Sequence, residues 1–322
     1  MKKYITLSTI AVGTIAVMCW LASSNSSPAI KSNTADNDLL LLVQEGCKNA
    51  VSSITSGKGT VTVESWRHAD DGRLLETKST YEVAFAGSKC RVSTKMLYVR
   101  NEPADGSSPE DTKLLIPPGT ILQTDLAYDG QKIQVLKPTS KTAIVGNTET
   151  LAAGAAYRMY RREAAVLDHG IGLVPLTAEI VGREIVDGDE CIVLEAVRTH
   201  SLPDGQSAKS LHRCWVNPTK GFTMPRFRAF VQGDELEASV LVDEFVTTFR
   251  QYGDDVWGPS RFTHNVYRPS KTGEIRKSMS IVVTYDPEFQ LNVPISESAL
   301  KLTLPSGTGV HDELIDAIYT VP

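Results

Sequence analysis

The sequence has no block of clustered basic residues, and its acidic residues outnumber the basic ones. Its 322 residues include 33 Lys and Arg against 38 Asp and Glu, which gives a formal charge of -5 at pH 7. Nucleic-acid-binding domains usually carry a basic patch or stripe, so nucleic acid is not an expected partner. Hydrophobic residues make up 41% and charged residues 22% of the chain. This ordinary globular composition excludes a disordered chain and a polytopic membrane protein.

Motifs of catalysis are also missing. The sequence contains no Gly-x-Ser-x-Gly, no His-Glu-x-x-His and no Cys-x-x-Cys. Residues 57–60 (Gly-Lys-Gly-Thr) lack the earlier glycine that a phosphate-binding loop needs. His212 and Cys214 would share one face of a strand, as two zinc ligands could, but a half-buried histidine beside a packed cysteine explains the same spacing. We therefore predict a protein that binds rather than catalyses, with no catalytic residues, metal or cofactor.

The N-terminus predicts export from the cytoplasm. Lys2 and Lys3 precede an apolar run over residues 4–22, and small polar residues follow it. Cleavage that removes residues 1–24 fits this pattern. Two alternatives stay open: the run, close to the roughly 20 residues that span a bilayer, is retained as an anchor, or Cys19 is lipidated. In each case we expect the protein in the periplasm or another extracytoplasmic compartment, anchored in the inner membrane if the segment is kept.

The rest of the chain is predicted to form one domain behind a leader. Residues 25–37 are rich in Ser and Asn and are predicted to be a flexible leader. The single domain is predicted over residues 38–322. It begins with an amphipathic helix, because apolar residues recur every three or four positions from Leu39 to Ile54. A second helix is predicted over Thr148–Leu167, and an exposed loop over residues 103–118.

Most of the remaining sequence alternates between apolar and polar residues, as half-buried strands do. Asp-Gly pairs, which readily adopt the positive φ angles of tight hairpin turns, occur at 71, 105, 129, 187 and 204. This pattern predicts an antiparallel meander. Its clearest part is a hairpin of residues 190–198 and 211–216, preceded by a strand at 178–186. Further strands are predicted at 61–64, 81–85, 133–135, 226–232, 236–250, 260–267, 274–285 and 318–321.

Four cysteines follow the predicted export signal. Cys191 and Cys214 lie on the two arms of one predicted hairpin, and an oxidising compartment permits a disulfide between them. We predict that disulfide. The alternative is four small buried thiols, including Cys47 and Cys90, that only pack in the core.

The C-terminal third resembles a known family. The residues that carry the resemblance, in order, are Trp257, Gly258, Pro259, Leu300, Leu302, Leu304, Pro305, Gly307, Val310 and Asp312. Together with the export signal, the early helix and the inserted second helix, this order is similar to that of the outer-membrane lipoprotein carrier superfamily, the LolA-like proteins. The chain departs from that family in the additional loop at 101–118 and at Leu300, where the family has Phe.

The resemblance implies a fold class and a function. The fold is mainly β with a few helices: an incomplete, strongly curved antiparallel β-barrel that helices cover. The implied function is an envelope carrier or chaperone that binds a lipid, an acyl chain or an acylated lipoprotein. The alternative is an envelope-stress sensor or regulatory protein of the same fold that acts through protein partners, including membrane proteins of the envelope. A hydrolase is the least supported class.

The expected ligand cavity is lined by alternating apolar residues of the strands. These residues are Val61, Val63, Tyr81, Val83, Phe85, Ile192, Leu194, Val240, Val242, Ile281 and Val283. The second helix is the expected lid, represented by Leu151, Tyr157 and Leu167.

Overall fold

A computed structural model of the chain describes residues 34–69, 72–98, 119–164, 178–201, 207–232, 240–253, 256–269 and 274–322. The predicted export signal, the predicted loop at 103–118 and Leu167 lie outside these residues. The helices are α1 (Thr34–Ser52) and α2 (Leu151–Ala164), so both predicted helices are confirmed. Helix α1 begins inside residues 25–37, which were predicted to be a flexible leader. Asp36 in its first turn favours this earlier start, because a negative charge stabilises a helix N-terminus.

The strands account for most of the described chain. In order they are β1 (Ser56–Ala69), β2 (Gly72–Ala86), β3 (Lys89–Tyr98), β4 (Ile121–Tyr128), β5 (Ile133–Lys137), β6 (Thr142–Gly146), β7 (Glu179–Val186), β8 (Asp189–Ser201), β9 (Ser207–Asn217), β10 (Thr223–Gln232), β11 (Val240–Gln251), β12 (Trp257–Pro269), β13 (Ile275–Tyr285), β14 (Gln290–Leu291), β15 (Gly309–Asp312) and β16 (Ala317–Thr320). Short 3-10 turns occur at Pro138–Ser140, Pro218–Lys220 and Glu297–Leu300.

All the strands belong to one sheet. Its order is β16-β15-β6-β5-β4-β3-β2-β1-β13-β12-β11-β10-β9-β8-β7, with β14 paired beside β1. The sheet is large, open and curled, and it does not close into a barrel, which confirms the mainly β class and agrees with the expected incomplete barrel. The antiparallel expectation fails at one pair: β6 and β15 run parallel, with Gly309 opposite Thr142. The C-terminal strands thereby join the edge formed by β6.

The Asp-Gly turn chemistry is confirmed at Asp187-Gly188, whereas at Asp129-Gly130 only the glycine has a positive φ angle, 102°. Asp187 and Gly188 both have positive φ angles, 51° and 89°, and they connect β7 to β8. Two successive positive φ angles are those of a type I′ turn, which fits the right-handed twist of paired strands. The predicted hairpin of β8 and β9 is also formed, with Leu194 opposite Cys214.

One apolar cluster extends over most of one face of the sheet. Strands β1 to β14 all contribute to it, and so do both helices. We call this face, with the helices that pack on it, the inner face. Helix α1 contributes Val43 and Cys47, one helical turn apart, while Leu42 on its other side is 53% exposed. The predicted apolar stripe of α1 is therefore confirmed for part of its members.

The opposite face, which we call the outer face, carries two smaller clusters. One combines β4, β5 and β6 with the C-terminal residues Leu302 and Val310. The other consists of Val186, Cys191, Val193 and Trp215 on β7 to β9. Both clusters bury apolar side chains that point away from the inner face, so the sheet has packing on both sides.

The predicted disulfide between Cys191 and Cys214 is wrong in this structure. The two cysteines are not bonded to each other, because Cys191 belongs to an outer-face cluster and Cys214 to the inner-face cluster. The residue opposite Cys214 is Leu194, three positions along β8 from Cys191. An odd offset along a strand places a side chain on the other face of the sheet. Cys47, Cys191 and Cys214 are instead buried, and Cys90 is half-buried, as the alternative of packed thiols expected.

Candidate functional site

The structure brings nearly all the predicted lining residues together on the inner face. Eight of the buried members of the cluster come from that prediction, while Val242 and Ile281 are half-buried and pack against the cluster. The eight are Val61, Val63, Tyr81, Val83, Phe85, Ile192, Leu194 and Val283. Val240 is the exception, because it lies half-buried at the start of β11 and outside the cluster. The inner face is thus one continuous apolar surface.

A row of rings crosses the inner face on β9 to β12. The centroid of the Phe227 ring lies 5.3 Å from that of His212 and 5.4 Å from that of Phe245. The Phe245 ring in turn stacks on His264, with centroids 4.3 Å apart and planes 17° apart. Phe262 also stacks on Phe245, with centroids 5.5 Å apart. These flat, stiff side chains give this part of the inner face a fixed shape.

A buried polar pair interrupts this apolar surface. Nε2 of His264 lies 2.9 Å from Oδ1 of Asp243, and the side chain of His264 is 3% exposed while that of Asp243 is 19% exposed. Because an ionised carboxylate only accepts hydrogen bonds, His264 is the donor. This bond is the only one that Asp243 makes within the described residues.

Helix α2 covers part of the inner face with small side chains. It contributes Ala153 and Tyr157, four residues apart and so on one side of the helix, to the inner cluster. The ring of Tyr157 packs on Tyr128 of β4, with centroids 4.6 Å apart. Leu151, which we predicted as part of the lid, is 86% exposed. That prediction is wrong, because Leu151 lies two positions before Ala153 and therefore points away from the sheet.

The start of α2 is held by a side chain from the C-terminal hairpin. The carboxylate of Glu313 accepts hydrogen bonds from the backbone N–H groups of Ala152 and Ala153, each at 3.0 Å. Partial burial alone would raise the pKa of Glu313, but these bonds, with one involving Thr150, hold it below its usual value. The N–H of Glu313 also donates to the carbonyl of Val145, which ties the hairpin to β6. Helix α2 is therefore anchored at its N-terminus.

Two open clefts lie away from the centre of the inner face. One, of about 370 Å³, lies at its rim between Arg250, Tyr252, Phe289 and Leu291. Arg250 holds this rim together, because its Nη2 donates to the carbonyl of Asp286 at 2.6 Å. The other, of about 560 Å³, is lined by polar and apolar residues of β3 to β5, the turn after β5 and the C-terminal segment.

The described residues contain no candidate for a metal site or a membrane-spanning helix. His212, which the sequence offered as a zinc ligand, packs edge-on against Phe227 and lies 3.0 Å from the hydroxyl of Ser210. No three His, Cys, Asp or Glu side chains of the described ranges are grouped closely enough to hold a metal ion. Within the same ranges, no helix is both long and apolar enough to cross a membrane.

A hydrogen-bonded network occupies the outer face behind the ring row. Arg228 donates to Glu244 at 2.9 Å, and Tyr267 and Asn265 donate to the same carboxylate at 3.0 and 3.3 Å. Ser280 donates to Asn265 at 2.9 Å. Burial alone would raise the pKa of Glu244, but the bonds from Arg228, Tyr267 and Asn265 lower it. The network links β10, β11, β12 and β13 through side chains as well as through the backbone.

Sequence reasoning missed two of these features. Asp243 lies in a predicted strand, but nothing in the spacing indicates that it pairs with His264, 21 residues away. Glu313 lies near the end of the chain, and its helix partner Ala153 is 160 residues earlier. A short alternating sequence fixes which face a residue takes, yet it does not fix which distant residue lies next to it.

Comparisons with known proteins give only distant likenesses. No family model and no curated protein matches the chain. Among solved structures, a DUF1329 family protein from Desulfovibrio piger is 15% identical, with 81% of this chain and 99% of that chain covered and a TM-score of 0.40. LprF from Mycobacterium bovis is 10% identical, with coverage of 84% and 98% and a TM-score of 0.29. An uncharacterised conserved protein from Thermus thermophilus is 8% identical, with coverage of 85% and 98% and a TM-score of 0.29. At TM-scores below 0.5, these likenesses assign neither a family nor a function.

Proposed function

We propose that this protein is exported from the cytoplasm and binds an elongated hydrophobic ligand, a lipid or the acyl chain of a lipoprotein, on its inner face. It acts as a carrier or chaperone and not as an enzyme. The observation that carries the proposal is the continuous apolar cluster on one face of an open, curled sheet. An acyl chain needs no directional partner there, because burial itself contributes roughly 25 cal/mol per Å² of apolar surface.

Helix α2, which covers part of the inner face, is suited to opening from one end. Helix α2 contributes small or flat side chains, Ala153 and Tyr157, to the cluster, and its N-terminus is anchored by Glu313. Lifting the Tyr157 ring from Tyr128 while the anchor stays in place would expose the inner face of β5 and β6, the strands that α2 contacts most. Such lids move with limited loss of packing, because only a few buried contacts hold them.

The test compares two half-buried valines of the same strand. Val242 packs against the inner cluster, whereas Val246 on β11 lies opposite Arg226 on the outer face. An aspartate placed in an apolar site without a partner costs about 1–3 kcal/mol. We therefore expect Val242→Asp to weaken binding of the fluorescent apolar probe N-phenyl-1-naphthylamine about tenfold, and Val246→Asp to leave it unchanged. Thermal melting of both variants controls for loss of folding.

Native mass spectrometry of protein purified from the envelope fraction, followed by organic extraction, identifies any bound lipid. Bound lipid together with the difference between the two variants is the expected result. If the folded wild-type protein binds no probe and releases no lipid, the carrier proposal is wrong. A sensor that acts through protein partners would then be the better hypothesis.

A further inference from the structure

We propose that the cleft at the rim of the inner face binds the anionic head of an amphiphile, a carboxylate or a phosphate, through Arg250. We call this space of about 370 Å³, between Arg250, Tyr252, Phe289 and Leu291, the rim cleft. The inference rests on the proposed function and specifies the head group of its ligand. It starts from a cleft that combines an apolar wall with a single cationic side chain.

The apolar wall of the rim cleft belongs to the inner cluster. Phe289 and Leu291 are buried members of that cluster, and Tyr252 packs against it. The Phe289 ring lies edge-on to the Tyr252 ring, with centroids 6.4 Å apart. The cleft is at the small end of the range of about 300–1,000 Å³ for ligand pockets, so it would hold a head group and the start of a chain. The rest of a long chain would follow the wall onto the inner face.

The charge of the rim cleft comes from Arg250. It is the only charged side chain among the described residues that line the cleft. No carboxylate of the described residues forms an ion pair with it, whereas Arg228 on the neighbouring strand pairs with Glu244. A charge beside apolar groups is costly unless a partner compensates it. An anionic head would compensate the guanidinium, whereas an ammonium head would place like charge next to it.

The guanidinium of Arg250 is held in place before any ligand binds. Its Nη2 donates to the carbonyls of Asp286 and Phe289 at 2.6 and 3.2 Å, and its Cζ lies 4.5 Å from the centroid of the Tyr252 ring. The Tyr252 hydroxyl donates in turn to the carbonyl of Pro259 at 2.7 Å. A group that is already ordered loses less conformational entropy when it binds a ligand.

The geometry of a guanidinium suits two acceptor oxygens. Both carbonyl bonds of Arg250 use Nη2, and the planar guanidinium has further N–H donors on Nε and Nη1. Such a fork matches the paired oxygens of a carboxylate or a phosphate. Two carbonyls could be held by a neutral donor, so the turn by itself does not require a positive charge at this position.

The experiment compares amphiphiles that share a twelve-carbon chain and differ in the head. Dodecanoate, dodecyl phosphate and dodecylammonium compete with N-phenyl-1-naphthylamine for the delipidated protein, each below its critical micelle concentration. We expect wild-type protein to bind the two anionic amphiphiles at least about tenfold more tightly than dodecylammonium. Inorganic phosphate at the same concentrations should not reduce the affinity for dodecanoate. If it does, the cleft takes free anions and not an amphiphile, and the inference is wrong.

Two variants test the cleft itself. Arg250→Gln keeps a donor for the turn carbonyls but removes the charge, so it should weaken dodecanoate binding about tenfold while probe binding is unchanged. Gln290→Glu keeps Arg250 and its bonds but adds a negative charge to the lining of the cleft. It should weaken dodecanoate binding about two- to fivefold and should not weaken dodecylammonium binding. Gln131→Glu, the same change at an exposed residue between β4 and β5, is the matched control.

Gln290→Glu decides the outcome if Arg250→Gln lowers the melting temperature. Equal affinities of the three amphiphiles for wild-type protein, or equal effects of Gln290→Glu and Gln131→Glu on dodecanoate binding, would overturn this inference and leave the proposed function intact. Failure of wild-type protein to bind the apolar probe would overturn the proposed function itself.

Discussion

The hydrogen bonds between Glu313 and the N-terminus of α2 lead to a specific prediction about how this helix opens. Glu313 accepts from the first backbone N–H groups of α2, at Ala152 and Ala153, from a hairpin 160 residues away. Replacing it with Gln keeps a polar side chain but removes the negative charge at the helix N-terminus. Replacing it with Ala removes both hydrogen bonds. The helix should then open more often at its N-terminal end, while the rest of the sheet is unchanged.

The size of the effect follows from known helix caps. Loss of a side chain that caps a helix costs about 0.5–2 kcal/mol, and a charge at a helix N-terminus contributes about 0.3–1 kcal/mol of that when partly exposed. We expect the free energy of opening the N-terminal end of α2 to fall by about 0.5–1 kcal/mol in Glu313→Gln and by about 1–2 kcal/mol in Glu313→Ala. Because 1.4 kcal/mol corresponds to a factor of ten in an equilibrium constant, the alanine variant should raise the equilibrium constant for local opening of α2 roughly 5- to 30-fold.

Hydrogen exchange measures this opening directly. The backbone amides from Gly154 to Tyr157 should exchange faster by that factor in Glu313→Ala, and amides of β1 should not change. Glu288→Gln, an exposed charge change in the turn between β13 and β14, is the control. If α2 exchanges equally in wild type and Glu313→Ala, then the carboxylate does not anchor the helix, and the proposed opening from the other end loses its basis.

The opening of α2 should depend on pH with a defined sign. Glu313 has a pKa below its usual value in the folded protein, so its contribution to stability is present above the unfolded-state pKa, about 4.3 for Glu. It is lost as the pH falls through the lowered pKa. Exchange of the α2 amides, corrected for intrinsic rates, should therefore accelerate below about pH 4 in wild-type protein, and this acceleration should be absent from Glu313→Gln.

Two further predictions concern packing on the inner side of the sheet. Gly46→Ala should lower the free energy of unfolding, measured in urea, by about 1–3 kcal/mol. The new Cβ would lie 2.6 Å from Cδ1 of the Phe222 ring and closer still to Cγ. This clash outweighs the higher helix propensity of Ala. The loss should shrink in the double variant Gly46→Ala, Phe222→Leu, and equal losses in both backgrounds would contradict this explanation. Thr94→Val should raise the free energy of unfolding by about 1 kcal/mol, because the buried Thr94 hydroxyl has no hydrogen-bond partner among the described residues. A destabilised Thr94→Val would show that the hydroxyl has a partner in solution.

The sequence predicted the strands well because their determinants are local. Alternation assigned Val61 and Val63 to a buried face, and the Asp187-Gly188 turn lies where its positive φ angles are required. Each of these features depends on residues within one or two strands. The helices were predicted for the same reason, since Val43 and Cys47 repeat at the helical period.

The predictions failed where distant residues meet. The position of Cys191 relative to Cys214 depends on the hairpin register, and a shift of one residue reverses the face. The parallel pairing of β6 with β15 brings Gly309 beside Thr142, and no short pattern encodes such a contact. Glu313 follows β15 directly, so its role as the anchor of α2 was hidden together with that pairing.

The outer face would keep the sheet folded if its inner face opens as proposed. Trp215, 1% exposed, donates from Nε1 to Glu184 at 2.8 Å, and the guanidinium of Arg228 lies 5.6 Å from its ring centroid. Arg228 also bonds to Glu244, so the contacts of the outer face run from β7 to β11. A protein that binds its ligand only on the inner face would lose packing there on each opening. Because the outer clusters and the backbone ladders do not depend on that packing, local opening of α2 need not lead to global unfolding.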